Sequence, residues 1–141
     1  MSASHRDRLV ITSDTKHLSA VRDFVSRMVR LSKLSHDEEN KIILAVDEAV
    51  TNIIEHAYED QLEGAIDIEI EVDDHQFQVK IIDTGKEFNP DEITDPDIMD
   101  HVKQGKKKGL GIFLMRQIMD EVRYAFKDGI KNEVVLVKYI R

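Results

Sequence analysis

Three short stretches carry residues whose types and spacing could do chemistry. In AVDEAVTNIIEHAY, residues 45–58, Glu48 and Asn52 stand four apart, which puts them on one side of a helix. Given a phosphate beside them, the carboxylate could act as a general base and the amide oxygen could ligate a hard cation such as Mg²⁺. In DTGKEF, residues 83–88, Asp83 closes an apolar strand and could accept a hydrogen bond from an amino group. Gly85 would let a ligand approach the backbone. In KKKGLGIFLM, residues 106–115, Gly109 and Gly111 lead directly into a helix. Its free N–H groups and dipole suit an anion, and Lys106, Lys107 and Lys108 add charge. Taken singly, each stretch also has an ordinary reading. The first is then a solvated helix face, the second a strand-to-loop turn, and the third a helix start behind a solvated lysine run.

Other chemistries find little support. With no cysteine, disulfides, Cys-based zinc sites and thiol catalysis are excluded. The six histidines are scattered and form no HExxH pair; His56, one turn after Asn52, reads as a packed or capping residue. There is no GxSxG elbow and no Walker A loop, and Leu114 stands where a Rossmann fingerprint needs a third glycine or alanine. A formal charge of −8 argues against direct nucleic-acid binding, which depends on Lys and Arg. Nothing approaches the roughly 20 apolar residues of a membrane span, and no secretory signal is read at the start. A cytoplasmic setting is expected. Charge is also uneven: seven acids fall between Asp83 and Asp100, then Lys103 and Lys106–Lys108 follow without an acid between them.

These residues need elements to position them. A length of 141 residues with 41% hydrophobic and 34% charged side chains suits one domain, 1–141, with a single core. Alternation predicts strands over 8–14, 65–74, 76–83, 123–128 and 132–140. Leu18, Val21, Phe24, Val25, Met28 and Leu31 predict a helix over 15–34. Ser35 with Glu38 forms a capping box for a second helix over 35–58, with Ile42, Ala45, Val46, Ala49, Ile53 and Ala57 facing the core. A third helix is predicted over 109–122, and Met28, Met115 and Met119 read as core filler. Consecutive hairpins predict an α+β fold: a two-layer sandwich with a mixed, mainly antiparallel sheet and helices on one face. Residues 84–108 form a long loop, a length that usually signals function or mobility.

Order changes the weight of the three stretches. Glu-x-x-x-Asn, then Asp-x-Gly, a long loop, and Gly-x-Gly opening a helix resemble the Bergerat-type ATP-binding domain of the GHKL superfamily. Gyrase, heat-shock chaperones, histidine kinases and mismatch-repair ATPases share it. DEAVTNIIEHAY, IIDTGKEFNP and GLGIFLMRQIMDEVRY are more narrowly similar to the anti-sigma factor serine/threonine kinases of the RsbW and SpoIIAB type, from about residue 8 to the end. The resemblance implies ATP and Mg²⁺ as cofactors. It gives Asn52 to Mg²⁺ and the phosphates, and makes Glu48 the base or the orienter of the attacking hydroxyl. Asp83 goes to the adenine amino group, with Gly85 beside the ring. Lys108, Gly109, Leu110 and Gly111 go to the phosphates. Residues 89–108 become an ATP lid. Two positions depart from the family: Glu87 stands where proline is common, and Lys108 where glycine is common.

The function implied is a partner-switching protein kinase. It phosphorylates a small anti-sigma-factor antagonist and binds a sigma factor or related regulator, as a homodimer. The alternative is a non-catalytic module that controls a partner by nucleotide-dependent binding. The catalytic part of a histidine kinase is disfavoured, because about fourteen residues before the first helix leave no room for a phospho-acceptor hairpin.

Overall fold

In a computed structural model, the structure describes residues 4–88, 110–127 and 130–141. The order is β1 (His5–Thr12), a 3-10 turn (Thr15–His17), α1 (Leu18–Arg30), α2 (His36–Asn52), a π turn (Ile53–Ala57), β2 (Ala65–Val72), β3 (Gln76–Asp83), α3 (Leu110–Ile118), β4 (Glu121–Lys127) and β5 (Lys131–Tyr139). The sheet runs β1-β2-β3-β5-β4, and each of these four pairings is antiparallel.

Period-two patterning decides the layers. Ile66, Ile68, Ile70 and Val72 of β2, Phe77, Val79 and Ile81 of β3, and Val134 and Leu136 of β5 are buried beneath the helices. The residues between them, such as Asp67, Glu69 and Lys80, face the other way, where Arg8 grips Asp67 through Nε and Nη2 at 2.8 and 2.6 Å. The turn after β2 follows from one side chain: Asp73 Oδ1 accepts from the backbone N–H of His75 and Gln76 at 2.7 and 2.9 Å.

α2 lies between α1 and α3 and is the keystone of the helical layer. Ser35 caps it by accepting from the Glu38 N–H at 3.3 Å, and Asp37, Glu38 and Glu39 oppose the helix dipole in the first turn. All six residues of the predicted apolar stripe are buried. Arg30 Nε donates to the buried Glu39 carboxylate at 3.2 Å, tying the end of α1 to the start of α2.

Several boundaries move, each for a local reason. β1 starts and ends earlier than predicted, because Asp14 leaves the sheet to cap the 3-10 turn, accepting from the Lys16 N–H at 3.0 Å. α1 stops at Arg30, so Leu31 is 47% exposed past its end, and Val29 supplies the buried contact instead. α3 ends at Ile118 and β4 begins at Glu121. Asp120 fastens the junction to β5, donating its N–H to Val137 O at 2.8 Å and accepting from the Tyr139 N–H at 2.6 Å. The second helix leaves α geometry after Asn52. Its π turn closes with Tyr58 N–H to Ile53 O at 3.0 Å, then Asp60 N–H to Ile54 O at 2.9 Å, with Glu59 and Asp60 at positive φ.

Candidate functional site

The end of α2, the end of β3 and the start of α3 meet on one side of the helical layer. Glu48 is half-buried on α2, and its carboxylate lies directly against Gly111: a β-carbon there would fall on Glu48 Oε2. A β-carbon at this position would displace the Glu48 carboxylate from where it lies. Burial, then the neighbouring charges of Asp47 and Glu55, push the Glu48 carboxyl above the ordinary glutamate range. One turn on, Asn52 is the last residue of α2, and its Nδ2 is buried with no hydrogen-bond partner among the described residues. Buried polar atoms are nearly always paired, so this donor nitrogen awaits an acceptor, whether a water or a ligand oxygen.

Asp83 ends β3 and is buried. Its Oδ1 accepts from the Gly85 N–H at 2.9 Å and from Asn132 Nδ2 at 2.8 Å. Both donors meet at one oxygen, so among the described partners Oδ2 is left to accept from something else. Burial raises the Asp83 pKa, and the two donors oppose that rise by favouring the ionised form. Beside this carboxylate, Ile53, Phe88, Tyr124 and Phe126 line a small cleft.

The loop after β3 is fixed from the π turn. Ala57 O accepts from the Lys86 N–H at 2.7 Å, and the Tyr58 hydroxyl accepts from the Thr84 N–H at 2.9 Å while donating to Ala65 O at 2.6 Å. A β-carbon on Gly85 would stand 2.6 Å from Ala57 O. Gly85→Ala must therefore push the loop off the helix end. We expect it to cost about 1–3 kcal/mol in chemical denaturation and to weaken nucleotide binding. An unchanged midpoint would show that the loop is not held there.

The structure thus brings Glu48, Asn52, Asp83, Gly85 and Gly111 to one side of the fold. Leu110 is the first residue of α3. Lys108, Gly109 and the predicted lid, 89–108, lie outside the described residues. Sequence reasoning missed Asn132, which sits directly opposite Asp83 in the β3–β5 register. It also missed Tyr58 as the anchor of the loop. Among the described residues there is no cluster of three or more His, Asp or Glu able to hold a metal. The orphaned atom of Asn52 is the amide nitrogen, a donor suited to an acceptor such as a phosphate oxygen; a cation would be held through the amide oxygen.

A profile of the histidine kinase-like ATPase domain matches residues 11–138. The chain belongs to that family. Within this ATPase-domain family it is similar to the serine-protein kinase RsbW of Listeria monocytogenes, 27% identical over 98% of this chain and 90% of the relative. It is also similar to the serine-protein kinase RsbW of Bacillus subtilis, 28% identical over 92% and 82%. A solved structure of the RsbU and RsbW domains of a Mycobacterium tuberculosis protein matches with a TM-score of 0.67 at 16% identity, over 97% of this chain. This chain spans 33% of that longer one, and the match shows the shared fold. No helix among the described residues of this ATPase-domain chain is long and apolar enough to cross a membrane.

Proposed function

We propose that the protein is an ATP- and Mg²⁺-dependent serine/threonine kinase and anti-sigma factor of a partner-switching system. Its substrate is a small anti-sigma-factor antagonist, and its other partner is a sigma factor or related regulator. Residues 1–141 act as one domain, with the lid at about 89–108, and the active form is a homodimer. The similarity to kinases named RsbW supports this reading. The observation that carries it is the half-buried Glu48 carboxylate, set against Gly111 and one turn before an amide without a partner.

Asp83 accepts from the adenine amino group, and Gly85 leaves room for the base. The start of α3, with Gly109 and Lys108 before it, meets the phosphates. The Asn52 amide oxygen is the protein's ligand to Mg²⁺, which, when bound, neutralises phosphate charge and aligns the γ-phosphoryl group. Glu48 faces the incoming Ser or Thr. It takes the hydroxyl proton as the oxygen bonds to the γ-phosphorus and the bond to ADP breaks. A raised pKa brings this base closer to neutrality, where it is both ionised and able to hold a proton.

The same pKa sets a pH dependence. Transfer should fall on the acid side as Glu48 is protonated, with a midpoint above that of an ordinary glutamate. Single-turnover rates across pH read this directly. A flat profile down to the usual carboxylate range would exclude Glu48 as the base.

A further inference from the structure

Val134 and Leu136 of β5 are core residues, and the next position on the same face holds a lysine, Lys138. The period calls for another apolar side chain there. Lys138 is only 20% exposed, and its ammonium has three partners from other elements. It donates to the carbonyl of Ile118, the last residue of α3, at 3.0 Å. It stands 3.7 Å from Glu38 Oε2 in the first turn of α2 and 3.9 Å from Asp120 Oδ2 in the α3–β4 junction. A helix end leaves carbonyls unpaired, and a cation suits that end of the dipole. Glu38 Oε2 is buried and accepts no hydrogen bond among the described residues, so the ammonium supplies its counter-charge.

The helices α2 and α3 are thus tied at two points. At one, Gly111 meets Glu48; at the other, Lys138 joins Ile118 to Glu38. The two helices run antiparallel, and the ties lie roughly 10 Å apart along α3. Packing between them is adaptable. Among the described residues, the buried anchors of this segment are Ile112, Met115 and, just past the end of α3, Met119. Methionine is unbranched and accommodates a shifted neighbour, and apolar contact carries no direction. The lysine hydrogen bond does carry one, and it fixes α3 along its own axis.

We propose that Lys138 is a positioning residue for phosphoryl transfer: by holding the far end of α3, it sets where the Gly111 end stands against Glu48. This rests on the kinase reading above. A displacement on the order of 1 Å at the reacting groups slows such a reaction by up to about a hundredfold.

The test compares full-chain wild type, Lys138→Met, Lys138→Arg and Val72→Ala at a temperature where each is folded. Calorimetry with Mg²⁺ and ATP gives affinity, and single-turnover transfer to the antagonist at saturating ATP gives rate. Lys138→Met keeps the apolar stem and loses the bond. It should bind ATP about fivefold more weakly and transfer about tenfold to a hundredfold more slowly. Lys138→Arg, which keeps a charged donor, should recover most of both. Val72→Ala truncates the core in β2, and it should lower the melting temperature while keeping wild-type affinity and rate. Where Lys138→Met does not fold because Glu38 is stranded, adding Glu38→Gln removes that charge, and the same two losses are expected. Wild-type affinity and rate in folded Lys138→Met would overturn the proposal, and so would an equal loss in Val72→Ala. Those results leave the kinase reading standing. Wild type that binds ATP without transfer would overturn both the kinase reading and a role for Lys138 in it.

Discussion

Glu48→Gln is expected to lower phosphoryl transfer about a hundredfold to ten-thousandfold, the usual contribution of a positioned base. ATP affinity should stay within a few-fold, because glutamine keeps the shape that fits against Gly111. The substitution removes the ability to hold a proton and little else. It should also stabilise the fold at neutral pH. Burial and the charges of Asp47 and Glu55 raise the Glu48 pKa, so the folded state holds this proton more tightly than the unfolded chain. Stability therefore falls as pH rises from the unfolded-state pKa through the folded-state value. Glutamine never ionises and escapes that loss. The variant should melt higher than wild type at neutral pH, and its advantage should vanish at acid pH. Transfer without loss of rate would refute the base assignment, and a higher melting temperature would rule out misfolding as the cause of a lost rate.

Asn52→Ala is expected to abolish Mg²⁺-dependent ATP binding, with affinity falling on the order of a hundredfold, as for loss of a metal-supporting group. The fold should barely change. The Nδ2 of Asn52 has no partner among the described residues, so its removal leaves no broken pair there. A stability change on the order of 1 kcal/mol or less follows. The contrast should depend on the ion: with Mg²⁺ chelated, wild type and variant should bind nucleotide alike. Calorimetry with and without Mg²⁺ measures this, and equal affinities in Mg²⁺ would remove Asn52 from the site.

Both residues belong to a row that is legible in the sequence because helical spacing and polar type coincide there. The buried stripe of α2 and the alternation of β2 and β3 are equally plain, since each follows from a period that burial imposes. Asn132 is not legible. Its place opposite Asp83 depends on β3–β5 register, which is set by chain that the local pattern does not describe. The π turn is hidden for another reason: IIEHA is apolar enough to continue an α-helix, and the loop that bonds to Ala57 and Tyr58 lies far along the chain. His56 reads in sequence as a packed residue. The packing on Phe88 is there, and the buried nitrogen beside it becomes visible only once its neighbours are placed.

The most direct test is transfer of labelled γ-phosphate from ATP to a purified small antagonist-domain protein from the same organism, with Mg²⁺, using wild type and Glu48→Gln. The account predicts label on a Ser or Thr of the antagonist with the wild type, and bound ATP without label with the variant. Tight ATP binding by the wild type with no label on the antagonist would contradict it and leave a nucleotide-sensing module in place of a kinase.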